Sequence, residues 1–127
     1  MNLLLDTHTF LWALSKPHML TEKTRKLLLD SSTSRWVSSV TLWEIAIKVQ
    51  IGKIDMPIDR QFYLRKLDDL EARPLPVELR HSLAVFELPP HHRDPFDRLL
   101  IAQAREDGLT IATRDQAFSA YDVETVW

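Results

Sequence analysis

Four acidic residues occupy positions in the sequence at which carboxylates could act together on one ligand. Asp6 follows the apolar run "NLLL", and Asp115 comes just after the run "LTIAT". Glu44 lies in the apolar segment "VTLWEIAIKVQIG", and Asp97 lies in the first turn of a segment that Asp94 opens. Whether these carboxylates can cooperate depends on the elements that position them.

An alternation of short apolar runs with longer helical patterns predicts an α/β fold. Short apolar runs are typical of strands that are buried on both faces of a sheet. The predicted strands are "NLLL", "RWVSS", "RPLPV", "LTIAT" and "VETVW". The predicted helices are "THTFLWALS", "TEKTRKLLLDSS", "VTLWEIAIKVQIG", "RQFYLRKLDDLEA", "ELRHSLAVFEL" and the segment from Asp94 to Gly108, with a turn or short helix at "RDQAFSAY". Right-handed crossovers then give a parallel sheet with helices on both faces.

In a parallel α/β sheet, ligands bind at the edge where the strands end. Asp6 and Asp115 follow predicted strands, and Glu44 lies in the helix after the second strand. Asp97 lies at the start of the helix that precedes the fourth strand. All four carboxylates are therefore expected at the carboxyl edge of the sheet.

Helix capping is the alternative explanation for each acid taken alone. Asp94 before a proline is typical of an N-cap, and Asp97 is favoured near the positive end of a helix. Asp6 and Asp115 could cap the segments that follow them, and Glu44 could form a solvated pair with a lysine one turn on. If the acids served only as caps or in surface pairs, they should be scattered over both ends of the sheet. Their expected position at one edge therefore favours a shared ligand.

Clustered carboxylates repel each other and have raised pKa values unless a cation compensates them. An all-oxygen ligand set favours Mg²⁺ or Mn²⁺, whereas zinc prefers nitrogen or sulfur ligands. Two such ions can activate water and stabilise the leaving oxygen in phosphodiester cleavage. The acids therefore predict metal-assisted hydrolysis of a phosphate ester.

Length and charge limit the classes of protein that the sequence can encode. The 127 residues are predicted to form one domain, residues 1–127. The 16 Lys and Arg residues are balanced by 18 Asp and Glu residues, so bulk positive charge cannot hold nucleic acid. A nucleic-acid substrate would need a local basic rim, although a solvated helix face explains the same side chains. The candidates are Lys48, Arg93, Arg98 and Arg114.

The sequence also predicts a soluble protein of the cytoplasm that does not enter a membrane. It contains no cysteine, which is compatible with a reducing compartment. The segment "MNLLLDTHTFLWAL" lacks a basic start, and Asp6 and His8 interrupt its apolar run, so it matches neither a signal peptide nor a membrane span.

Other polar residues beside the strand ends have two explanations. Thr7, Ser38 and Thr113 could orient water, phosphate or carboxylates, or they could be local caps. His91 and His92 precede the acidic helix and could contact phosphate, although a histidine pair in a loop is more often simply exposed.

The motifs "LLLDTH", "SSVTLWEIAIK", "HHRDPFDRLLIAQA" and "IATRDQAF", taken in this order, resemble the PIN-domain family. Within it the chain is similar to the VapC-like ribonuclease toxins of type II toxin-antitoxin pairs. The resemblance spans the whole chain and implies a PIN-like three-layer fold, with a parallel sheet in the order 3-2-1-4-5 between helices on both faces. It also implies a homodimer and an antitoxin that blocks the active site.

The resemblance further implies a Mg²⁺-dependent endoribonuclease whose metal ligands and catalytic acids are Asp6, Glu44, Asp97 and Asp115, with Mn²⁺ as a possible substitute. Asp94 then caps the helix and could bond a metal-bound water, although an exchange of roles with Asp97 stays open. Two alternatives remain. One is another metal-dependent phosphoesterase or DNA nuclease, and the other is an inactive PIN-like module that only binds partners.

A final expectation concerns the surface. The segments "HTFLWALS" and "RQFYLRKLDDLEA" carry more apolar residues than one sheet face in a small domain can readily cover. Some of these residues are therefore expected to stay exposed as an interaction patch.

Overall fold

The computed structural model describes all residues from Met1 to Trp127. Its five strands pair in parallel to form one sheet in the order β3-β2-β1-β4-β5, which confirms the expected topology. The strands are β1 (Asn2–Leu5), β2 (Ser34–Ser38), β3 (Ala72–Leu75), β4 (Thr110–Ala112) and β5 (Thr125–Val126). Because the order reverses beside β1, the carboxyl ends of β1 and β4 border a crevice of the kind that binds ligands in such sheets.

Six α-helices cover the sheet. They are α1 (Thr7–Ser15), α2 (Glu22–Leu29), α3 (Ser39–Gln50), α4 (Arg60–Asp69), α5 (Leu79–Ala84) and α6 (Pro95–Asp107). Short 3₁₀ turns lie at Pro17–Met19, Val85–Glu87 and Gln116–Ala120. No helix combines the length and the apolar composition that a membrane span requires.

The alternation of side chains along β1 divides the core into two halves. Leu4 packs in one apolar cluster with residues of α5 and α6, such as Leu100. Leu3 and Leu5 point to the opposite face and pack with residues of α1 to α3, such as Phe10. Since all three β1 leucines are fully buried, the sheet lies between two helical layers, as the three-layer fold requires.

The helix boundaries follow from local chemistry. The α6 helix begins after the N-cap Asp94 and ends at Gly108, whose φ of 66° is the left-handed conformation that glycine adopts without strain. The segment "ELRHSLAVFEL", expected as one helix, divides into α5 and a 3₁₀ turn. The prolines Pro89 and Pro90 follow, so the helical segment cannot continue beyond Leu88.

Other boundaries differ from expectation by a few residues. The α2 helix ends at Leu29 and α4 at Asp69, so the last three residues predicted for each lie outside it. The third strand begins at Ala72 rather than Arg73 and stops before Pro76. The terminal strand has two residues where five were expected.

The apolar surface is distributed differently from the expectation. Helix α1 is not an exposed patch, because its apolar residues are buried or half-buried in the core. Helix α4 does expose Leu64. In the layer formed by α5 and α6, the exposed large apolar side chains are Leu79, Leu83 and Phe86, on α5 and the turn that follows it. A helix can bury more apolar area when it is wedged between the sheet and its neighbours, as α1 is.

Candidate active site at the carboxyl edge of the sheet

Asp6 is a buried carboxylate at the end of β1. Its Oδ1 accepts the backbone N–H of Thr9 over 2.8 Å, so it caps α1, and its Oδ2 accepts the hydroxyl of Thr113 over 2.6 Å. Burial raises the pKa of Asp6 above its ordinary value, although the hydrogen bonds from Thr113 and Thr9 act in the opposite direction. Asp6 is therefore both the N-cap of α1 and a member of the acidic cluster.

Glu44 projects from α3 into the same region. The hydroxyl of Thr7, the residue after Asp6, donates to Oε1 of Glu44 over 2.6 Å, and Lys48 donates to Oε2. The Glu44 side chain is only 3% exposed, whereas that of Lys48 is 28% exposed. The pair is thus not a solvated surface pair, because its acidic member is held inside the edge of the sheet.

Asp97 and Asp115 approach each other through His92. The Nε2 atom of His92 lies 3.1 Å from Oδ2 of Asp97 and 3.8 Å from Oδ2 of Asp115. Asp115 also caps the 3₁₀ turn that follows it, and its backbone N–H donates to Oγ1 of Thr113 over 3.0 Å. Asp115 lies at the open rim, where its side chain is 48% exposed.

Asp97 is a carboxyl group whose pKa is raised by burial and by the acids around it. Burial raises the pKa of Asp97 to about 8, and the negative charges of Asp94, Glu44, Asp6 and Asp115 add to the increase. Four other carboxylates are therefore close enough to oppose the ionisation of this one. All the acids expected at the carboxyl edge lie there together.

Asp94 acts as the helix cap that its position predicts. Its Oδ1 accepts the backbone N–H groups of Phe96 over 2.9 Å and of Asp97 over 3.2 Å. Asp94 thus stabilises the start of α6 while its charge is felt by Asp97. Asp6, Asp94 and Asp115 are therefore helix caps and also members of the acidic cluster, so the two explanations do not exclude each other.

The basic residues expected at the rim are placed in different ways. Arg98 turns away from the acids and donates to the carbonyl groups of Pro89 and Leu88, among others, so it holds the segment that precedes α6. Lys48 is paired with Glu44. Arg93 is exposed, and the exposed Arg114 lies 6.0 Å from the ring centre of Trp12.

The side chains present fit a divalent cation that prefers oxygen ligands. Five carboxylates surround one region, while the only basic side chains that contact them are those of Lys48 and His92. Burial and, after it, the uncompensated charge of the neighbouring acids raise the pKa of Asp97, and a bound Mg²⁺ or Mn²⁺ would relieve that charge. Of these acids, Asp97 and Asp115 lie with His92 in one group whose possible ligand atoms are all within 4.8 Å of one another.

His92 is the member of this region that the sequence indicated only as a candidate phosphate contact or an exposed loop residue. A histidine before an N-cap aspartate is most simply explained as an exposed loop residue, yet His92 is 20% exposed and bonds both to the backbone N–H of Asp94 and to Asp97. Ser38, by contrast, is the local cap of α3 and donates to Gln103. No spacing rule in the sequence shows that His92 contacts the acids whereas Ser38 is only a local cap.

The fold and its acidic carboxyl edge define a PIN-like α/β domain. A comparison with protein families matches residues 3–124 to the PIN domain, and the chain belongs to the PIN domain family. Membership of this family supports a nuclease activity, and divalent-metal dependence is general among its members. A search of the curated proteins found no significant match.

Solved structures with the same fold come from several bacteria. VapBC2 from Rickettsia felis, bound to a DNA fragment from its promoter, has a TM-score of 0.74 and 17% identity, covering 100% of this chain and 99% of that one. DNA-bound VapBC from Salmonella typhimurium has a TM-score of 0.71 and 15% identity, covering 99% and 97%. FitAcB from Neisseria gonorrhoeae has a TM-score of 0.64 and 21% identity, covering 98% and 96%. The chain is similar in fold to these proteins over its whole length.

Proposed function

We propose that the protein is a Mg²⁺-dependent endoribonuclease and the toxin component of a toxin-antitoxin pair. The observation that carries the proposal is that Asp6, Glu44, Asp97 and Asp115 lie at the carboxyl edge, where burial and the charges of the neighbouring acids raise the pKa of Asp97 to about 8. The resemblance of the sequence motifs to the VapC-like ribonucleases supports RNA as the substrate.

Three acids of the cluster are positioned by neighbouring residues. Thr113 directs one oxygen of Asp6, Thr7 directs one oxygen of Glu44, and Asp94 holds the start of the helix that carries Asp97. When bound, the divalent ion would activate water and stabilise the charge that develops on the phosphate. The carboxylates of Asp6, Glu44, Asp97 and Asp115 would hold the ion at this edge of the sheet.

Binding of the RNA backbone requires positive charge at this edge. Arg93 and Arg114 are exposed and are the better candidates for contacts to phosphate, and Lys48 could make a further contact if RNA displaces it from Glu44. The guanidinium of Arg98 is occupied by carbonyl groups of the chain itself, so its contribution to RNA binding would be small.

Two protein partners are part of the proposal. The structural relatives named VapBC and FitAcB are complexes, which supports an antitoxin partner for this chain. A homodimer is supported by the exposed apolar side chains of Leu79, Leu83 and Phe86. Light scattering on the wild type and on Phe86→Ser, whose change affects an exposed side chain, tests the dimer directly.

The test of the function is cleavage of a labelled single-stranded RNA beside a DNA strand of the same sequence. RNA cleavage should stop in EDTA and return with Mg²⁺ or Mn²⁺. Ca²⁺ should bind without supporting turnover, because its looser coordination does not hold the octahedral geometry that in-line attack requires. Full activity in EDTA would exclude the proposed mechanism, and equal cleavage of DNA would favour the alternative of a general or DNA nuclease.

A further inference from the structure

His92 contacts three parts of the acidic site through one imidazole ring. Its Nδ1 atom accepts the backbone N–H of Asp94 over 3.1 Å, and its Nε2 atom lies 3.1 Å from Oδ2 of Asp97. The same Nε2 is 3.8 Å from Oδ2 of Asp115, and the ring meets the ring of Phe118 edge-on, with 6.3 Å between the ring centres. The side chain is only 20% exposed, so its orientation is held by these neighbours.

The contact with Asp94 fixes which nitrogen of His92 carries the hydrogen. A backbone N–H can only donate, so Nδ1 must present its lone pair to Asp94. The ring hydrogen of the neutral imidazole is then on Nε2, from which it is donated to Asp97. Both nitrogens are therefore used, one as an acceptor and one as a donor.

This arrangement decides between two roles for His92. The ligand atoms of His92, Asp97 and Asp115 all lie within 4.8 Å of one another, which resembles a nitrogen-containing metal site of the kind that zinc prefers. A metal ion could bind Nε2 only if the hydrogen moved to Nδ1, where it would face the N–H of Asp94. Two donors would then oppose each other, so His92 is poorly suited to be a ligand.

We propose that His92 is a positioning residue that holds Oδ2 of Asp97 by a hydrogen bond and so leaves Oδ1 for the metal ion, without binding the ion itself. The inference rests on the proposed metal-dependent function and specifies how one ligand of that site is oriented. Because the ring joins the N-cap backbone of α6 to the carboxylate three residues later, it fixes the direction of Asp97 relative to its own helix. A partner of this kind typically changes metal affinity or activity by about 10–100-fold when it is removed.

Two substitutions separate the two hydrogen bonds of the ring. The amide of asparagine reaches about as far as Nδ1, so His92→Asn keeps an acceptor for Asp94 and loses the donor to Asp97. The amide of glutamine reaches about as far as Nε2, so His92→Gln keeps the donor and loses the acceptor. His91→Gln is the matched control, because His91 is exposed and packs on Tyr121 outside the acidic cluster.

The readouts are Mn²⁺ affinity by titration calorimetry, the Tm of each metal-free variant and RNA cleavage. His92→Asn should weaken Mn²⁺ binding by about tenfold or more, while its metal-free Tm stays near that of the wild type. His92→Gln and His91→Gln should bind Mn²⁺ nearly as the wild type does. Equal affinities for the Asn and Gln variants, or a larger loss in the Gln variant, would overturn the proposal.

A measurement on the wild type covers the case in which a variant does not fold. Pulsed electron paramagnetic resonance of bound Mn²⁺ detects a directly coordinated histidine nitrogen, and none should be found. A coordinated nitrogen would make His92 a ligand and would overturn the inference while leaving the nuclease function intact. If instead the wild type neither binds Mn²⁺ nor cleaves RNA in its presence, the proposed function fails and not merely the role of His92.

Discussion

Thr113 donates its hydroxyl hydrogen to Oδ2 of Asp6 over 2.6 Å, across the adjacent carboxyl ends of β4 and β1. The same Oγ1 atom accepts the backbone N–H of Asp115 over 3.0 Å. One buried side chain therefore fixes the carboxylate at the end of one strand and the turn that carries a second acid. Thr113 thus holds Asp6 and Asp115, which are far apart in the sequence, in a fixed relative position.

Replacement of Thr113 by valine should weaken both the fold and the activity. Valine has nearly the same shape but leaves the buried Asp6 carboxylate without its donor, at a cost of about 1–3 kcal/mol in the free energy of unfolding. RNA cleavage should fall as well, because Asp6 loses its orientation. Urea unfolding and the cleavage assay measure the two effects, and Thr113→Ser, which keeps the hydroxyl, should restore most of both. Loss of activity in the serine variant equal to that of valine would contradict this role.

The two aspartates at the start of α6 should respond differently to the same substitution. Asp97→Asn removes a proposed metal ligand and should abolish cleavage, because a neutral amide is a much weaker ligand for Mg²⁺. Asp94→Asn should keep most of the activity, because asparagine is as good an N-cap as aspartate. Circular dichroism should find both variants folded. Comparable loss of cleavage in both variants would mean that the roles of Asp94 and Asp97 are shared or exchanged.

The raised pKa of Asp97 predicts how the metal-free protein responds to pH. The carboxyl group binds its proton more tightly in the folded state, where the pKa is about 8, than in the unfolded chain, where it is near 3.8. Its stabilising contribution is therefore complete at low pH and is lost as the pH rises towards 8. In EDTA, the stability advantage of Asp97→Asn over the wild type should grow by more than about 1 kcal/mol between about pH 5 and about pH 8. Urea unfolding at both pH values measures it, and an advantage that does not change with pH would refute the prediction.

The sequence predicted the acidic edge because the relevant signals are local. Asp6 and Asp115 directly follow apolar strands, and the cap at Asp94 fixes where α6 begins. Parallel topology then brings these positions to one edge, whatever the details of packing. The order of the strands in the sheet could not be predicted in this way, because strand patterns alone do not specify which strands are neighbours. That order was implied only by the resemblance to a family.

Side-chain direction could not be read from the sequence. Glu44 and Lys48 have the spacing of a surface pair, but the packing of α1 against α3 buries the glutamate. Arg98 was a candidate for the basic rim, but its guanidinium donates to the carbonyl groups of Pro89 and Leu88. His92 depends on the path of a loop that begins with two prolines, which no periodicity describes.

An apolar groove between α3 and α4 gives the antitoxin proposal a definite test. The groove between α3 and α4 has a volume of about 450 Å³ and includes Leu42, Val49 and Leu67. Helix α3 forms one wall of this groove and also carries Glu44, so we propose that an antitoxin segment seated in the groove extends from there to the carboxylates. Such a segment should place an arginine among the acids, because a guanidinium bonds carboxylates in a bidentate manner and competes with the metal ion.

A peptide from the cognate antitoxin that contains apolar residues and an arginine should therefore inhibit cleavage, and inhibition should weaken as Mg²⁺ is raised. Replacement of the peptide arginine by alanine should reduce inhibition, because the acids then lose their bidentate partner. Leu64→Glu, which places a charge in the half-exposed wall of the groove, should weaken peptide binding without reducing cleavage by the free protein. Calorimetry measures the binding, and a peptide that inhibits Leu64→Glu as well as it inhibits the wild type would show that the antitoxin reaches the acids by another route.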